Sequence, residues 1–369
     1  MNAPRLEVDL DRIHHNACTL VEQLSARGIS VTGVTKAGLG SPHIADAYLG
    51  AGIRTLGDSR IENIETMRHA RIAAQMVLIR SPMLSQVDRV VATTDVSFNT
   101  ELDVIAGLST AARKSGRSHG VLLMVELGDL REGIMPSDVG SFVRKTLNLP
   151  NIVLRGIGTN LACRSGVSPD SSNMSQLSAL ADSLERTFGL NFDIVSGGNS
   201  ANLDWALGAV STGRINNLRL GEALLLGRET LHRQPIEGLY TDAITLVAEV
   251  IEAKIKPSRP WGDIAQNAFA EKAVVIDQGD ILQAILAIGR QDIDPQGLYP
   301  PPGVKVIDAS SDHLIVQSVK HKLEVGKEIT FQLNYSALTR AMTSSFVTKL
   351  YLHKEMFSTD AQHLYPALG

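Results

Sequence analysis

The sequence predicts an α/β fold in which an N-terminal (β/α)8 barrel precedes a C-terminal mostly-β domain. Three observations predict it. Between about residues 31 and 227, short β-branched runs alternate with longer stretches of helically spaced apolar residues, eight times in succession. The runs are apolar throughout and bounded by glycine or polar turns, the pattern of parallel strands covered on both faces. After Pro235 the helical spacing fades, and short strand-like runs follow one another, separated by Gly, Pro and Asp.

The barrel strands are read at 31–35, 54–56, 76–79, 96–98, 121–126, 154–158, 192–195 and 218–220. The stretch 174–188, with Leu177, Leu180, Ala181 and Leu184 on one face, typifies the helices between them. Eight units within roughly 200 residues reach the size at which such a sheet closes, and the unbroken succession favours closure over an open doubly wound sheet. In the second part, strand-like runs fall at 243–251, 272–276, 282–288, 304–307, 314–318, 328–333 and 347–352. The domain boundary is placed at 235. Residues 1–235 form the barrel, with the N-terminal strand returning to the β domain, and residues 236–369 form that domain.

Composition excludes several classes of function. At 44% hydrophobic and 20% charged over 369 residues, the chain can bury a large core. Its formal net charge is −4, from 35 Lys and Arg against 39 Asp and Glu, which argues against electrostatic capture of nucleic acid. Aromatics are scarce at 4%, so a base-stacking platform is not expected either. No apolar run is long enough for a membrane span. The opening MNAPRLEVDLDR carries acids where a signal peptide needs a basic start. Cys18 and Cys163 lie far apart and lack a metal-ligand spacing, so neither a disulfide framework nor a metal site is indicated. The expectation is a cytoplasmic protein.

A barrel of this kind carries its chemistry on the loops after its strands. That rule singles out Lys36, Asp58–Ser59, Glu101, Arg131, Asn160, Gly197–Ser200 and Arg219–Glu222. The loops after the last two strands, SGGNS at 196–200 and RLGEA at 219–223, suit a phosphate. Their glycines admit backbone N–H groups, Asn199 and Ser200 add polar side chains, and a helix start follows at Gly221 and Glu222. Lys36 ends the first strand, where partial loss of water favours a nucleophilic amine. A reactive lysine opposite a phosphate cradle suits pyridoxal phosphate, although aldolase-type barrels with phosphorylated substrates share both features. Arg219 either faces the pyridine nitrogen as a permanent donor or forms a structural ion pair with Glu222 or another carboxylate.

At these residues the chain resembles the alanine racemase fold family, and more closely its alanine/ornithine racemase branch. The motifs are VTGVTK (31–36), LGDSRIEN (56–63), VELGDLREGIMP (125–136), GIGTNLAC (156–163), VSGGNS (195–200), LRLGEALLLGRET (218–230) and NYSALTRAMTS (334–344). The resemblance implies that Lys36 holds pyridoxal 5'-phosphate and serves as one of two bases. It implies phosphate binding by Ser200 with the backbone of Gly221 and Glu222, Arg219 against the pyridine nitrogen, Tyr335 near the phosphate, and Arg131 beside the substrate carboxylate. It also implies a head-to-tail homodimer whose β domains complete each other's sites.

Four positions depart from the family pattern. KAGLGSPH follows the lysine without the usual tyrosine, Asn160 replaces a histidine, and Met124 stands where some members carry a carbamylated lysine. Asn267 falls at or near the tyrosine that is classically the second base, and an amide cannot take a proton from Cα. Asp312 and His313 are the candidates to replace it, with Asp263 a weaker one. The expected activity is two-base racemisation of an amino acid, ornithine or another basic one, with Asp292 or Asp294 available to pair with a distal ammonium. Alternatives are a pyridoxal-phosphate decarboxylase and a non-catalytic carrier of the coenzyme.

Overall fold

The computed structural model describes residues 3–270, 276–318 and 323–353. The chain forms two compact units, one of residues 10–240 and one that joins residues up to Asp9 with those from Thr241 onward. In chain order, β1 (Arg5–Asp9) belongs to the second unit, and the first opens with α1 (Leu10–Ser25).

Eight parallel strands then close on themselves: β2 (Ser30–Val34), β3 (Thr55–Asp58), β4 (Gln75–Leu78), β5 (Val96–Asn99), β6 (His119–Met124), β7 (Ile152–Gly158), β8 (Ile194–Ser196) and β9 (Asn217–Leu220). The seam is β9 against β2, with Arg219 opposite Thr32 and Leu218 opposite Val31. The helices are α2 (Pro42–Gly50), α3 (Ile61–His69), α4 (Val87–Thr93), α5 (Leu102–Lys114), α6 (Val139–Leu147), α7 (Ser171–Phe188), α8 (Leu203–Leu207) and α9 (Glu222–Leu226). All eight expected strands are present, with ends displaced by a residue or two where polar residues such as Asp58 and His119 continue the ladder. The closed barrel therefore holds, and the open-sheet alternative does not.

The interior is packed rather than hollow. Val77, Val96, Phe98, Leu122 and Met124 form one cluster, and Ile194 of β8 packs onto it from across the lumen. Gly156 makes the β7–β8 pairing possible: its φ is +155°, and a Cβ there would lie 1.7 Å from the carbonyl oxygen of Ile194. On the outside, α7 begins with a capping box in which the side chains of Asp170 and Asn173 satisfy each other's backbone N–H groups. It buries Met174, Leu177, Ala181 and Leu184 and ends at left-handed Gly189. Leu180, expected on that face, is only half-buried, because Met174 starts the buried row one turn earlier. The barrel unit is tied off by Asn16, whose amide donates to the Tyr240 carbonyl (2.9 Å) and accepts from the Tyr240 N–H (2.8 Å).

The second unit is a bent antiparallel sheet. Its elements are β10 (Ile244–Pro257), β11 (Asp280–Leu286), β12 (Leu298–Tyr299), β13 (Val304–Ala309), β14 (Leu314–Ser318), β15 (Glu328–Leu333), α10 (Tyr335–Thr343) and β16 (Thr348–Leu352). The sheet order is β12-β15-β10-β11-β14-β13, and β1 lies between β10 and β16, antiparallel to the first and parallel to the second. β10 serves three neighbours, pairing with β1 over Ile244–Val247, with β15 through Glu249 and with β11 from Val250, with a bulge at Val250/Glu252. It outruns its expected extent by six residues, 252–257, where exposed charges replace the apolar run. Helical spacing was expected to be largely lost in this part, and α10 is a helix that the expected strands did not include. It is capped by the Asn334 side chain on the Ala337 N–H (2.9 Å) and buries Ala337, Leu338, Ala341 and Met342. The run expected at 272–276 lies outside the described residues except for Ile276. Among the described residues, no helix is long and apolar enough to cross a membrane, and no three His, Cys, Asp or Glu cluster as metal ligands.

Two outcomes follow from the packing. Leu177→Ala should lower the unfolding free energy by about 2–5 kcal/mol in denaturant titrations, the cost of a cavity under a fully buried leucine. His119 is buried at the start of β6 with Nε2 2.8 Å from Ser97 Oγ, and burial pushes its pKa from 6.5 down to about 4. The unfolded chain therefore binds this proton first as the pH falls. His119's contribution is whole above about pH 6.5 and is lost toward about pH 4, a change of up to about 3 kcal/mol. Unfolding measured across that window should lose this part of its pH slope in His119→Gln.

Candidate active site

Lys36 follows β2 by one intervening residue, Thr35, and opens a 3-10 turn, Lys36–Gly38. The turn rests on a buried carboxylate at the end of β3. Asp58 Oδ2 accepts from Thr35 Oγ1 (2.8 Å), and its Oδ1 accepts from the Arg60 N–H (2.9 Å) and Asn63 Nδ2 (3.0 Å). Burial raises the Asp58 carboxyl above its ordinary pKa, against the pull of these donors. The residue before the lysine is thereby fixed, and the loop beyond it presses onto Asn63.

Arg219 lies in β9, on the far side of the closing seam. It is 5% exposed, and its hydrogen-bond partners are neutral: Nη1 donates to Ser196 Oγ (2.6 Å), and Nη2 donates to the Thr159 carbonyl (2.8 Å) and Asn160 Oδ1 (3.1 Å). Its guanidinium carbon stands 5.2 Å from the centre of the Phe98 ring. Burial pushes its pKa down to about 10, with the Glu132 charge opposing that and the Arg131 charge adding to it. The alternative of an ion pair with Glu222 does not form, because Glu222 pairs with Arg233 instead. Burial raises the Glu222 carboxyl, while Arg233 and the Lys36 ammonium draw it down. Arg233 is presented by a loop wrapped around Glu229, whose carboxylate accepts the N–H groups of Leu231 (2.6 Å), His232 (2.9 Å) and Gln234 (2.7 Å).

The two glycine loops meet. Ser200 Oγ, buried after β8, accepts from the Ala223 N–H at the start of α9 (3.2 Å). Gly221 brings that start against β2, where a Cβ would lie 3.1 Å from the Val34 Cβ. Asn199 spends its amide on the scaffold, donating to Asn160 Oδ1 (3.1 Å) and the Leu161 carbonyl (2.9 Å) and accepting from the Ala201 N–H (2.8 Å). Asn160 Nδ2, by contrast, is a buried donor with no partner.

Arg131 sits on the loop after β6 in a two-pronged ion pair with Glu132, which holds its pKa up against burial. Glu126 Oε1 shapes this loop by accepting the N–H groups of Gly128 (2.6 Å) and Leu130 (3.0 Å). Asp129 ties it to the loop after β7 by accepting the N–H groups of Cys163 (3.2 Å), Arg164 (2.9 Å) and Ser165 (3.0 Å). Burial works to raise the Asp129 carboxyl, and these donors outweigh it. Met124 is buried against Phe98 and Leu122 and offers no amine.

Lys36, Arg131, Asn160, Asn199, Ser200, Arg219, Gly221 and Glu222 thus all lie at or just beyond the C-terminal ends of barrel strands. Asp312, His313 and Tyr335 belong to the β unit. Asp312 and His313 form an exposed couple in the turn between β13 and β14, Nδ1 to Oδ1 2.8 Å, and the contact with His313 lowers the Asp312 carboxyl. Tyr335 is the half-buried first residue of α10. Asn267 and Asp263 lie in an exposed stretch, with Asn267 Oδ1 accepting from the Phe269 N–H (2.9 Å). Asp292 accepts from Ser344 Oγ (2.6 Å), and Asp294 caps the Pro295–Gly297 turn, so both hold local structure. Sequence reasoning passed over Ser196, Asn217, Asp129 and Glu132. The available signal was a polar residue at a strand end for Ser196 and Asn217, and an acid in the loop after β6 for Asp129 and Glu132.

Comparison with known proteins agrees with this arrangement. Residues 8–229 match the family model for the alanine racemase N-terminal domain. The chain is 39% identical over 354 residues to the lysine racemase of Thermotoga maritima, covering 94% of this chain and 98% of that protein. It is 37% identical over 351 residues to the ornithine racemase of Acetoanaerobium sticklandii, covering 94% and 99%. The crystal structure of alanine racemase from Streptomyces lavendulae superposes with a TM-score of 0.72 at 19% identity, over 96% of this chain and 98% of that one. D-threonine aldolase from Filomicrobium marinum superposes with a TM-score of 0.73 at 15% identity, over 93% and 89%, so the shared fold does not by itself select the reaction. The family match spans more than half of the residues, and near full-length likeness to two racemases accompanies it: the chain belongs to the alanine racemase family.

Proposed function

We propose that this protein is a pyridoxal-phosphate-dependent amino-acid racemase acting on basic amino acids, ornithine or lysine, as a cytoplasmic homodimer. The observation that carries the coenzyme assignment is Arg219, a buried cation whose hydrogen-bond partners are all neutral. Three of its five N–H donors are used, and Asn160 Nδ2 beside it is buried without an acceptor. Such a site fits a heterocycle whose ring nitrogen accepts a hydrogen bond. Likeness to the lysine and ornithine racemases over nearly the whole chain supports the reaction and the substrate class.

In this reading Lys36 would hold the coenzyme at its aldehyde carbon, and Ser200 with the backbone of Gly221 and Glu222 would hold its phosphate. When bound, pyridoxal phosphate withdraws electrons from the substrate and makes its Cα–H acidic. Arg219 keeps its own protons at any pH near neutrality, so it presents the pyridine nitrogen with a donor and leaves that nitrogen unprotonated. A weaker electron sink favours return of a proton to Cα over transfer elsewhere. Arg131, clamped by Glu132, orients the substrate carboxylate. The Lys36 amine moves the proton on one face of Cα. His313, backed by Asp312 and supplied by the second copy of the chain, moves it on the other.

Incubated with pyridoxal phosphate in deuterated water, the protein should invert L-ornithine or L-lysine and label Cα, and turn over L-alanine far more slowly, as followed by chiral chromatography and mass spectrometry. Lys36→Ala should abolish both inversion and the visible absorbance of the bound coenzyme; an unchanged spectrum would displace the attachment point. His313→Gln should slow inversion by about 100-fold or more while one enantiomer still exchanges its Cα hydrogen through Lys36. Equal exchange of both enantiomers in that variant would remove His313 from the reaction.

A further inference from the structure

Arg219 is held by a hydrogen-bond chain whose direction is set at its far end. Asn217 Nδ2 donates to Thr32 Oγ1 (3.0 Å) and Ser30 Oγ (3.2 Å), so the atom it turns to Ser196 is Oδ1, which only accepts. Ser196 has one hydroxyl hydrogen, and it goes to Asn217 Oδ1 (2.7 Å). What remains for Arg219 is a serine lone pair, met by Nη1 at 2.6 Å. On the other side Thr159 is equally committed. Its Oγ1 donates to the Val125 carbonyl (2.9 Å) and its N–H to the Ser196 carbonyl (3.0 Å), leaving its own carbonyl for Nη2. Ser196, Thr159, Asn217 and Thr32 are all buried, so water does not substitute for any member. A buried chain of this kind has one satisfied arrangement.

We propose that Ser196, backed by Asn217 and Thr32, is a positioning residue that locks Arg219 as a donor toward the pyridine nitrogen of the coenzyme. This deepens the proposed function and rests on it. Two N–H groups of Arg219, Nε and the second on Nη1, remain for that nitrogen and its surroundings, and the three neutral acceptors decide where they stand. The same chain crosses the β9–β2 seam, so a purely structural role in closing the barrel is the competing account. Ser196→Ala separates the two. It leaves the Asn217–Thr32 link across the seam and removes the hydroxyl that joins Asn217 to Arg219.

The test uses pyridoxamine phosphate, which carries the same ring and phosphate but forms no bond to Lys36. Its dissociation constant, measured by calorimetry, should rise about tenfold in Ser196→Ala, the loss of one charge-assisted anchor. With 15N-labelled pyridoxal phosphate, the ring-nitrogen resonance should move toward that of free coenzyme. Ser196→Thr, which keeps the hydroxyl, should restore both. If Ser196→Ala binds pyridoxamine phosphate as the parent protein does, with an unmoved ring resonance, the positioning role is overturned, whatever the melting temperature does. If the parent protein itself binds neither coenzyme form, the proposed function falls, and this role with it.

Discussion

Burial strips Arg219 of water, and the acceptors that replace the water are all neutral. A guanidinium in that setting costs free energy unless every hydrogen finds a partner, and a carboxylate would be the usual remedy. Here the chain supplies a serine hydroxyl, a backbone carbonyl and an amide oxygen instead. Charge is therefore satisfied in direction but not cancelled. Arg219 thus brings positive charge to the barrel mouth, where a ring nitrogen and an anionic tail are proposed to settle. The mouth's acids are occupied nearby: Glu222 with Arg233, Glu132 with Arg131, and Asp129 with three backbone N–H groups.

Much of the barrel was legible because its strands are buried on both faces, so apolar runs such as 76–78 and 121–124 announce themselves. Legibility failed where burial is one-sided or brief. The far half of β10 carries Glu252, Lys254 and Lys256 on an exposed surface and reads as loop. β12 is two residues long, and α10 is a single short helix whose polar residues mask its spacing. At the site, Lys36 and Arg219 stood out because a charge next to an apolar run is conspicuous. Ser196 and Asn217 did not. Their roles depend on register, which sets Ser196 beside Asn217 and Arg219 beside Thr32, and register is a property of the closed sheet.

The departures from the family pattern share a physical character. Methionine at 124 and asparagine at 160 exchange ionisable groups for neutral ones, and the structure compensates by local means. Glu132, next in the chain, clamps Arg131 where Met124 brings no amine. Asn160 offers its oxygen to Arg219 and leaves a donor over.

One topological detail bears on how the molecule is made. β1 takes its place only between β10 and β16, with Arg5 opposite both Val247 and Thr348. During translation the first strand emerges long before either neighbour exists, whereas all eight barrel strands are available once Leu220 has left the ribosome. Closure of the sheet therefore waits on the synthesis of β16, which sets Arg5–Asp9 beside Thr348–Leu352, two segments made far apart in time.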